Sequence, residues 1–356
     1  MNPKPDDPQA GAPNPKLKDL GEFGLIEHLK ARLKSNDSAI AVNIGDDAAA
    51  LKLSESQLTL ITADILIEGV HFTRDNFTPF QIGWKAMAAN VSDIAAMGGK
   101  PRWAVISLGL PPTLSSDYID CLYNGMEVLG NKMGGIALVG GDTVSSRDLI
   151  ISISLLGLVE PELLTLRSGA RVGNYLAVTG TLGDSALGLE LLSNSFSTPL
   201  PHLKKSADEL IEKHLQPLPR LEEARRIVES KLATAMIDIS DGLAAEVKRI
   251  VEASGVGIRI FQDQVPLSYS LMQICEHLGM DPLRFSLGGG EDYELLFTFP
   301  PERQEEIKEG MKASLIGRVV PESEGIKLID RTGKVKDLPC QGYDHFRSQR
   351  TEEADF

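Results

Sequence analysis

The residues in this chain with the clearest chemical potential are aspartates that follow glycine or close an apolar run. Residues 235–243, AMIDISDGL, end an apolar stretch on Asp238 and add Asp241 three positions later. Two carboxylates around one turn repel each other unless a cation lies between them. The device recurs at Gly45-Asp46-Asp47, Thr62-Ala63-Asp64, Asn90-Val91-Ser92-Asp93 and Gly140-Gly141-Asp142-Thr143, and again at Gly183-Asp184 and Gly290-Glu291-Asp292. Each alone reads as a turn or a helix cap, and Asp184 fits an N-cap. Strand ends in mixed sheets tend to converge on one rim, so together these residues predict a rim of carboxylates that needs cations. Oxygen ligands select hard divalent ions, Mg²⁺ foremost. Few histidines and three dispersed cysteines (Cys121, Cys275, Cys340) argue against zinc and softer metals.

Glycine-rich turns let backbone N–H groups approach phosphate closely, which points to metal–nucleotide chemistry. Yet neither G-x-x-x-x-G-K-[ST] nor G-x-G-x-x-G occurs, so ATP would be held by neither a P-loop nor a protein-kinase glycine loop.

Alternating strand and helix patterns must position these residues. Helical periodicity is expected over Glu22 to Leu33, over Gln81 to Met97 with a small-residue face, and over Asp117 to Met133. Strands are expected at Ala39 to Ile44, Leu58 to Ala63, Trp103 to Leu110, Ile136 to Val139 and Leu149 to Val159. The second half adds strands at Tyr175 to Thr179, Ala235 to Asp238, Ile258 to Phe261, Leu295 to Phe299 and Leu315 to Val319. Its helices are expected at Ser185 to Leu192, in two segments broken at Pro217-Leu218-Pro219, at Leu243 to Ala253, and near 268–279 and 301–311. The class is α/β or α+β in two similar halves.

The bulk composition agrees. A chain of 356 residues exceeds one ordinary core and suits two domains. Its net charge of −14 excludes non-specific nucleic-acid binding, which needs a basic surface. No apolar run of about 18 residues predicts a membrane span. The Pro-rich start, MNPKPDDPQAGAPNPK, lacks an apolar leader core and reads as a disordered tail, and RSQRTEEADF reads as a frayed end. A reduced, cytoplasmic setting is expected from the cysteine usage.

Taken in order, GEFGLI (21–26), IGDDAA (44–49), TADILIEGVHF (62–72), GWKAMAANVSDIAAMGGKP (83–101), VGGDT (139–143), VTGTLGDSALGLELL (178–192), MIDISDGL (236–243), GGEDYELLF (289–297) and GYDHF (342–346) resemble thiamine-monophosphate kinases, within the superfamily of aminoimidazole ribonucleotide synthetase. The resemblance spans residues 20 to 346. It implies a dimerising N-terminal domain (17–162) whose strands pair across a homodimer, a C-terminal α/β domain (163–346), and tails at 1–16 and 347–356. It implies ATP-dependent phosphorylation of thiamine monophosphate with several Mg²⁺ ions, and no membrane or nucleic-acid partner.

Carried over by position, Asp47, Thr62, Asp64, Asp93, Asp142, Asp238 and Asp241 would hold metal. Tyr123, Gly141, Asp142, Arg167 and Ser240 would contact ATP. His71, Glu291 and Tyr343 would contact thiamine phosphate. No catalytic base is implied, because the acceptor phosphate is already anionic. Alternatives are another ATP-dependent enzyme of the superfamily, or a non-catalytic Mg-nucleotide-binding protein.

Overall fold

The computed structural model describes residues 17–33, 37–193 and 201–338. Tyr343, Cys340 and both expected tails lie outside the described residues. The described residues divide into two units, 17–33 and 37–338. In the first, helix α1 (Leu17–Arg32) is broken at Gly21, whose φ of 68° is not helical, so regular periodicity starts at Glu22 as the sequence indicates.

The second unit carries both sheets. β1 (Ile40–Val42), β2 (Ala49–Leu51) and β3 (Leu58–Ile67) precede helix α2 (Pro79–Ala96), β4 (Lys100–Leu110), helix α3 (Ser116–Lys132), β5 (Ala137–Ser145) and β6 (Ile150–Val159). These six strands form one sheet in the order β1-β2-β3-β6-β4-β5, antiparallel except for β4–β5. Strict alternation in β6 puts Ile151, Ile153 and Leu155 in the core and their neighbours on the outer face.

The rest of the unit contains β7 (Tyr175–Thr179), α4 (Asp184–Leu192), α5 (Lys204–Leu215), α6 (Leu221–Glu229), β8 (Ala235–Ile239) and α7 (Leu243–Ser254). It continues with β9 (Gly257–Phe261), α8 (Tyr269–Leu278), α9 (Pro282–Gly288), β10 (Glu294–Phe299), α10 (Gln304–Gly310), β11 (Ala313–Val320), β12 (Ile326–Ile329) and β13 (Val335–Asp337). Its seven-stranded sheet runs β13-β12-β9-β11-β7-β10-β8. The short elements β2, α9, β12 and β13 carry too few residues for a periodic signal. The mixed two-sheet α/β architecture is as expected.

Helix α2 connects the two sheets. It starts with a complete capping box, Thr78 with Gln81, and Pro79 in its first turn. It is buried on nearly every side, from Ile82 through Ala96, so it lacks the polar face of a surface helix. It packs on β3 and β6 of the first sheet, on α3, and on β8 and α6 of the second half. The side chain of Trp84 donates from Nε1 to the carbonyl of Pro217 at 2.7 Å, which fixes the Pro217-Leu218-Pro219 break against α2.

α2 and α3 cross at two glycines. A Cβ on Gly83 would lie 1.9 Å from the Leu122 carbonyl oxygen, and one on Gly125 would lie 1.9 Å from that of Phe80. Neither partner is a flexible side chain, so the helices would have to separate. Gly125→Ala is therefore expected to destabilise the protein by about 2–3 kcal/mol or more through overpacking. Urea denaturation of variant and wild type measures it, and an unchanged midpoint would refute the crossing.

Candidate active site

Three carboxylates meet where α2 passes between the sheets. Asp47 comes from the turn after β1, Asp93 from the last turn of α2 and Asp238 from β8. One oxygen of each lies within 4.8 Å of the other two. Two neighbouring side chains hold them in place. The Thr62 hydroxyl donates to Asp93 Oδ2, and the Ser92 hydroxyl donates to Asp238 Oδ2 at 2.7 Å. The period of two along β3 puts Thr62 and Asp64 on one face. The Asp64 backbone N–H donates to Asn90 Oδ1 at 3.2 Å, which pins β3 to α2.

The electrostatics of this cluster are unfavourable without a cation. Burial, then the charges of Asp64, Asp238 and Asp47, hold the Asp93 carboxyl well above its usual range. Burial, then Asp47 and Glu246, do the same to Asp238. Asp64 is pushed up to about 6 by burial and by Asp241, and Asp46 to about 6 by burial and by Asp47. The phenol of Tyr293, buried and in the left-handed region at φ 50°, is raised by burial and then by Glu291, Asp64, Asp238 and Asp93. The Tyr293 phenol thus lies within electrostatic reach of both the carboxylates and Glu291.

Two arginines offset part of this charge. Arg167 donates from Nη2 to Asp47 Oδ1 at 2.6 Å. Arg249 donates to Asp241 Oδ2 at 2.5 Å and to both oxygens of the fully buried Glu246 at 2.6 Å. Asp47 Oδ2 remains: it is buried and has no hydrogen-bond partner among the described residues. Such an atom is costly unless a ligand satisfies it. The donor set is oxygen only and anionic, so the residues fit a hard divalent cation, with Asp47, Asp93 and Asp238 as its first ligands.

Glu291 lies beside the opening motif, because its N–H donates to the Ser240 carbonyl at 2.7 Å. Its carboxylate meets Lys85 Nζ at 2.7 Å and His214 Nδ1 at 3.3 Å. Burial alone would raise the Glu291 carboxyl. The Lys85 ammonium, by charge and by hydrogen bond, is the main influence that outweighs it and holds the group below the usual carboxylate range. His71, the other expected substrate residue, is near enough to influence the Glu291 carboxyl, and accepts at Nδ1 from the Ile67 N–H at 3.0 Å. Glu291 also lines a cleft of about 190 Å³ with Thr181, Ser185, Lys213 and Arg220.

Some sequence expectations need correction. β5 does not stop at Val139 but runs through Gly140, Gly141 and Asp142, so Asp142 is inside a strand rather than at its end. A Cβ at Gly141 would lie 1.8 Å from the Ile106 carbonyl, and glycine is what lets the strand continue against β4. Asp64 also lies inside its strand, which extends to Ile67. The single rim of carboxylates is thus not what forms. Register puts Asp64 level with Ile153 on the core side, whereas Asp142 is level with Ser107, Ser152 and Ile65 on the outer face. Asp142 is also three strands from β3, about 14 Å at ~4.8 Å per strand. The N-cap of α4 is Gly183, not Asp184, which instead binds Lys213 and accepts from Thr181. Tyr123 packs on the apolar core of the first sheet. Lys85, His214, Arg249, Glu246 and Tyr293 are not among the residues that the sequence singles out. The signal for Lys85 is a lone cation within the run GWKAMAAN.

The fold and the carboxylate centre define a class. Residues 45–159 match the model of the AIR synthase related protein N-terminal domain, and residues 171–329 match that of its C-terminal domain. The chain is 41% identical to the thiamine-monophosphate kinase of Aquifex aeolicus (strain VF5) over 331 residues, 93% of this chain and all of the relative. It is 37% identical to that of Escherichia coli (strain K12), covering 92% of this chain and 98% of the relative. A solved structure described as AaThiL complexed with AMPPCP and TMP superposes with a TM-score of 0.82 at 40% identity, covering 93% of this chain and 99% of the other. The chain belongs to the thiamine-monophosphate kinase family. No helix among the described residues is long and apolar enough to cross a membrane.

The electrostatics generate a test. A carboxyl held above its unfolded-state value costs nothing below that value; the cost grows as pH rises from the unfolded value toward the folded one and is complete above it. Asp93→Asn is expected to raise the metal-free melting temperature by about 2–4 °C per kcal/mol relieved, more at pH 8.5 than at pH 5.5. It is also expected to lose most of the Mg²⁺-induced rise expected of the wild type. Thermal denaturation with and without Mg²⁺ decides; equal Mg²⁺ shifts in both proteins would remove Asp93 from the centre.

Proposed function

We propose that this chain transfers the terminal phosphoryl group of ATP to thiamine monophosphate, giving thiamine diphosphate and ADP. The observation that carries the reading is the Asp47–Asp93–Asp238 centre, with Asp47 and Asp238 buried and Asp93 half-buried, beside Glu291, in a chain of this family. A relative of known structure described as complexed with AMPPCP and TMP supports the same pair of substrates.

The acceptor is a phosphate monoester whose second pKa is about 6, so it is a dianion at neutral pH and needs no general base. The site agrees: burial and the neighbouring Lys85 push His214 down to about 3, which leaves it neutral and unable to take a proton. The work left to the protein is positioning and charge neutralisation. Asp47, Asp93 and Asp238, with Asp64, Asp241 and Thr62 around them, would hold Mg²⁺. When bound, Mg²⁺ would supply the positive charge that two polyanions need in order to approach. Arg167 and Ser240 border the same centre as nucleotide contacts, and His71 and Glu291 face the acceptor.

The reading includes a division into residues 17–162 and 163–346, supported by sheets confined to 40–159 and 175–337. It includes a homodimer. β5 is an exposed edge strand, and the outer face of the first sheet leaves Ile65, Trp103, Val105 and Val144 uncovered. Such an apolar face and open edge are stabilised by a second copy. Gly141 and Asp142 lie on that edge strand, so their nucleotide and metal roles, with that of Tyr123, belong to the assembled dimer. The cytoplasm, where ATP is held, is the setting for this reaction.

Product analysis with ATP and thiamine monophosphate tests the activity. Thiamine diphosphate is expected only with Mg²⁺, none with thiamine as acceptor, and Asp238→Asn is expected to lower the rate at least about 100-fold. Product in excess EDTA, or a fully active Asp238→Asn, would reject the metal centre. No product at all would turn the reading toward a nucleotide-binding role.

Trp103→Asp tests the dimer. Sedimentation is expected to show the wild type at twice the monomer mass and the variant shifted to monomer; a monomeric wild type would reject it.

A further inference from the structure

Lys85 is 1% exposed, one of the largest wholly buried side chains, and nothing in the proposed chemistry uses it. Its ammonium lies 2.7 Å from Glu291 Oε2, 3.4 Å from His214 Nε2 and 5.2 Å from the centre of the Phe77 ring. His214, also 1% exposed, approaches the same Oε2 through Nδ1 at 3.3 Å and Ser185 Oγ at 3.0 Å. These contacts set the tautomer. A lysine ammonium only donates, so Nε2 accepts from Lys85, and the Nδ1–H donates to Ser185 Oγ with Glu291 Oε2 beside it. The edge of the Phe77–His214 pair, 5.6 Å between ring centres, closes the other side.

Glu291 is thus anchored through one oxygen. Its backbone is also set in the left-handed region at φ 63°, an uncommon state for a non-glycine residue that surrounding contacts must enforce. The side chain remains 28% exposed, and Oε1 has no partner among the described residues. The group as a whole carries no net charge: one ammonium, one carboxylate and a neutral imidazole. A carboxylate so neutralised attracts a cationic ring weakly but keeps full capacity to accept a hydrogen bond.

We propose that Lys85 and His214 are positioning residues that pin Glu291 Oε2 and present Oε1 to the cleft, so that Glu291 recognises an N–H donor of the acceptor rather than its positive charge. In thiamine monophosphate the donor of that kind is the amino group on the pyrimidine ring. The proposal rests on the reading of the acceptor given above and adds how Glu291 reads it. Lys85 contributes from α2, the helix that also carries Asp93, so the acceptor end and the metal end of the site share one rigid support.

Steady-state kinetics separate the possibilities. Wild-type turnover of thiamine monophosphate tests the acceptor reading by itself. Given that turnover, Lys85→Met is expected to raise KM for thiamine monophosphate about tenfold or more while KM for ATP and kcat stay within about threefold. His214→Gln is expected to shift the same constant in the same direction by a smaller factor, and it carries the test if Lys85→Met fails to fold by circular dichroism.

The double variant Lys85→Met/Glu291→Gln restores a neutral pair with an amide oxygen in place of Oε1. Its KM is expected to recover toward the wild-type value. A double variant worse than Lys85→Met would show that Glu291 acts by charge and overturn the proposal. An unchanged KM for the acceptor in both single variants, or equal rises for acceptor and ATP, would also overturn it. Thiamine monophosphate lacking the pyrimidine amino group is expected to be discriminated against by the wild type and not by Lys85→Met. Equal discrimination by both would likewise count against the assignment.

Discussion

Like-charge repulsion at the meeting point of Asp47, Asp93 and Asp238 is the constraint that the rest of the structure answers. Three carboxylates with oxygens within 4.8 Å of one another cannot be assembled by surface loops that are free to move apart. They come from a turn, a helix and a strand that packing forbids to separate. α2 is buried along almost its whole length, and β8, an edge strand, has all five residues buried. Hydroxyls of Thr62 and Ser92 then fix the carboxylates one at a time. Apolar packing opposes an electrostatic cost that a bound cation would remove.

The same requirement accounts for the glycine-marked crossing of α2 and α3. With backbones in contact at Gly83 and Gly125, α3 holds α2 against the first sheet without an intervening layer of side chains. The second half holds it from the other side through β8 and α6, and through the indole of Trp84 bonded to Pro217. A helix clamped between two sheets can present Lys85, Asn90, Ser92 and Asp93 with little rotational freedom. That restriction is what preorganised catalysis of phosphoryl transfer requires.

Much of this was legible in the sequence, because local pattern carries it. Apolar periodicity marks most of the strands and helices; carboxylates that follow glycine or close an apolar run mark Asp47, Asp238 and Glu291, and Asp93 stands out in Asn90-Val91-Ser92-Asp93 on an expected helix. What was not legible depends on register and on tertiary pairing. Gly140-Gly141 reads as a turn, yet β5 continues through it, and only the ladder with β4 shows that Asp142 faces away from Asp64. His214, next to Lys213 at the end of α5, reads as a solvated helix end. It is buried because Lys85, 129 residues away in the chain, and Glu291 converge on it. No spacing rule encodes such a contact.

The site therefore combines two electrostatic designs on one scaffold. Around Asp93 and Asp238 the protein leaves negative charge in excess, with Arg167 and Arg249 compensating only part of it and Asp47 Oδ2 left bare. Around Glu291 it balances charge to zero within a single buried group. An excess of carboxylate invites metal and, through metal, phosphate. A neutral, anchored carboxylate invites a polar heterocycle and repels neither end of a zwitterionic acceptor. The Tyr293 phenol lies within electrostatic reach of both. A molecule that carries phosphate at one end and a donor-bearing ring at the other would satisfy both halves in one orientation, with its phosphate toward the carboxylate centre.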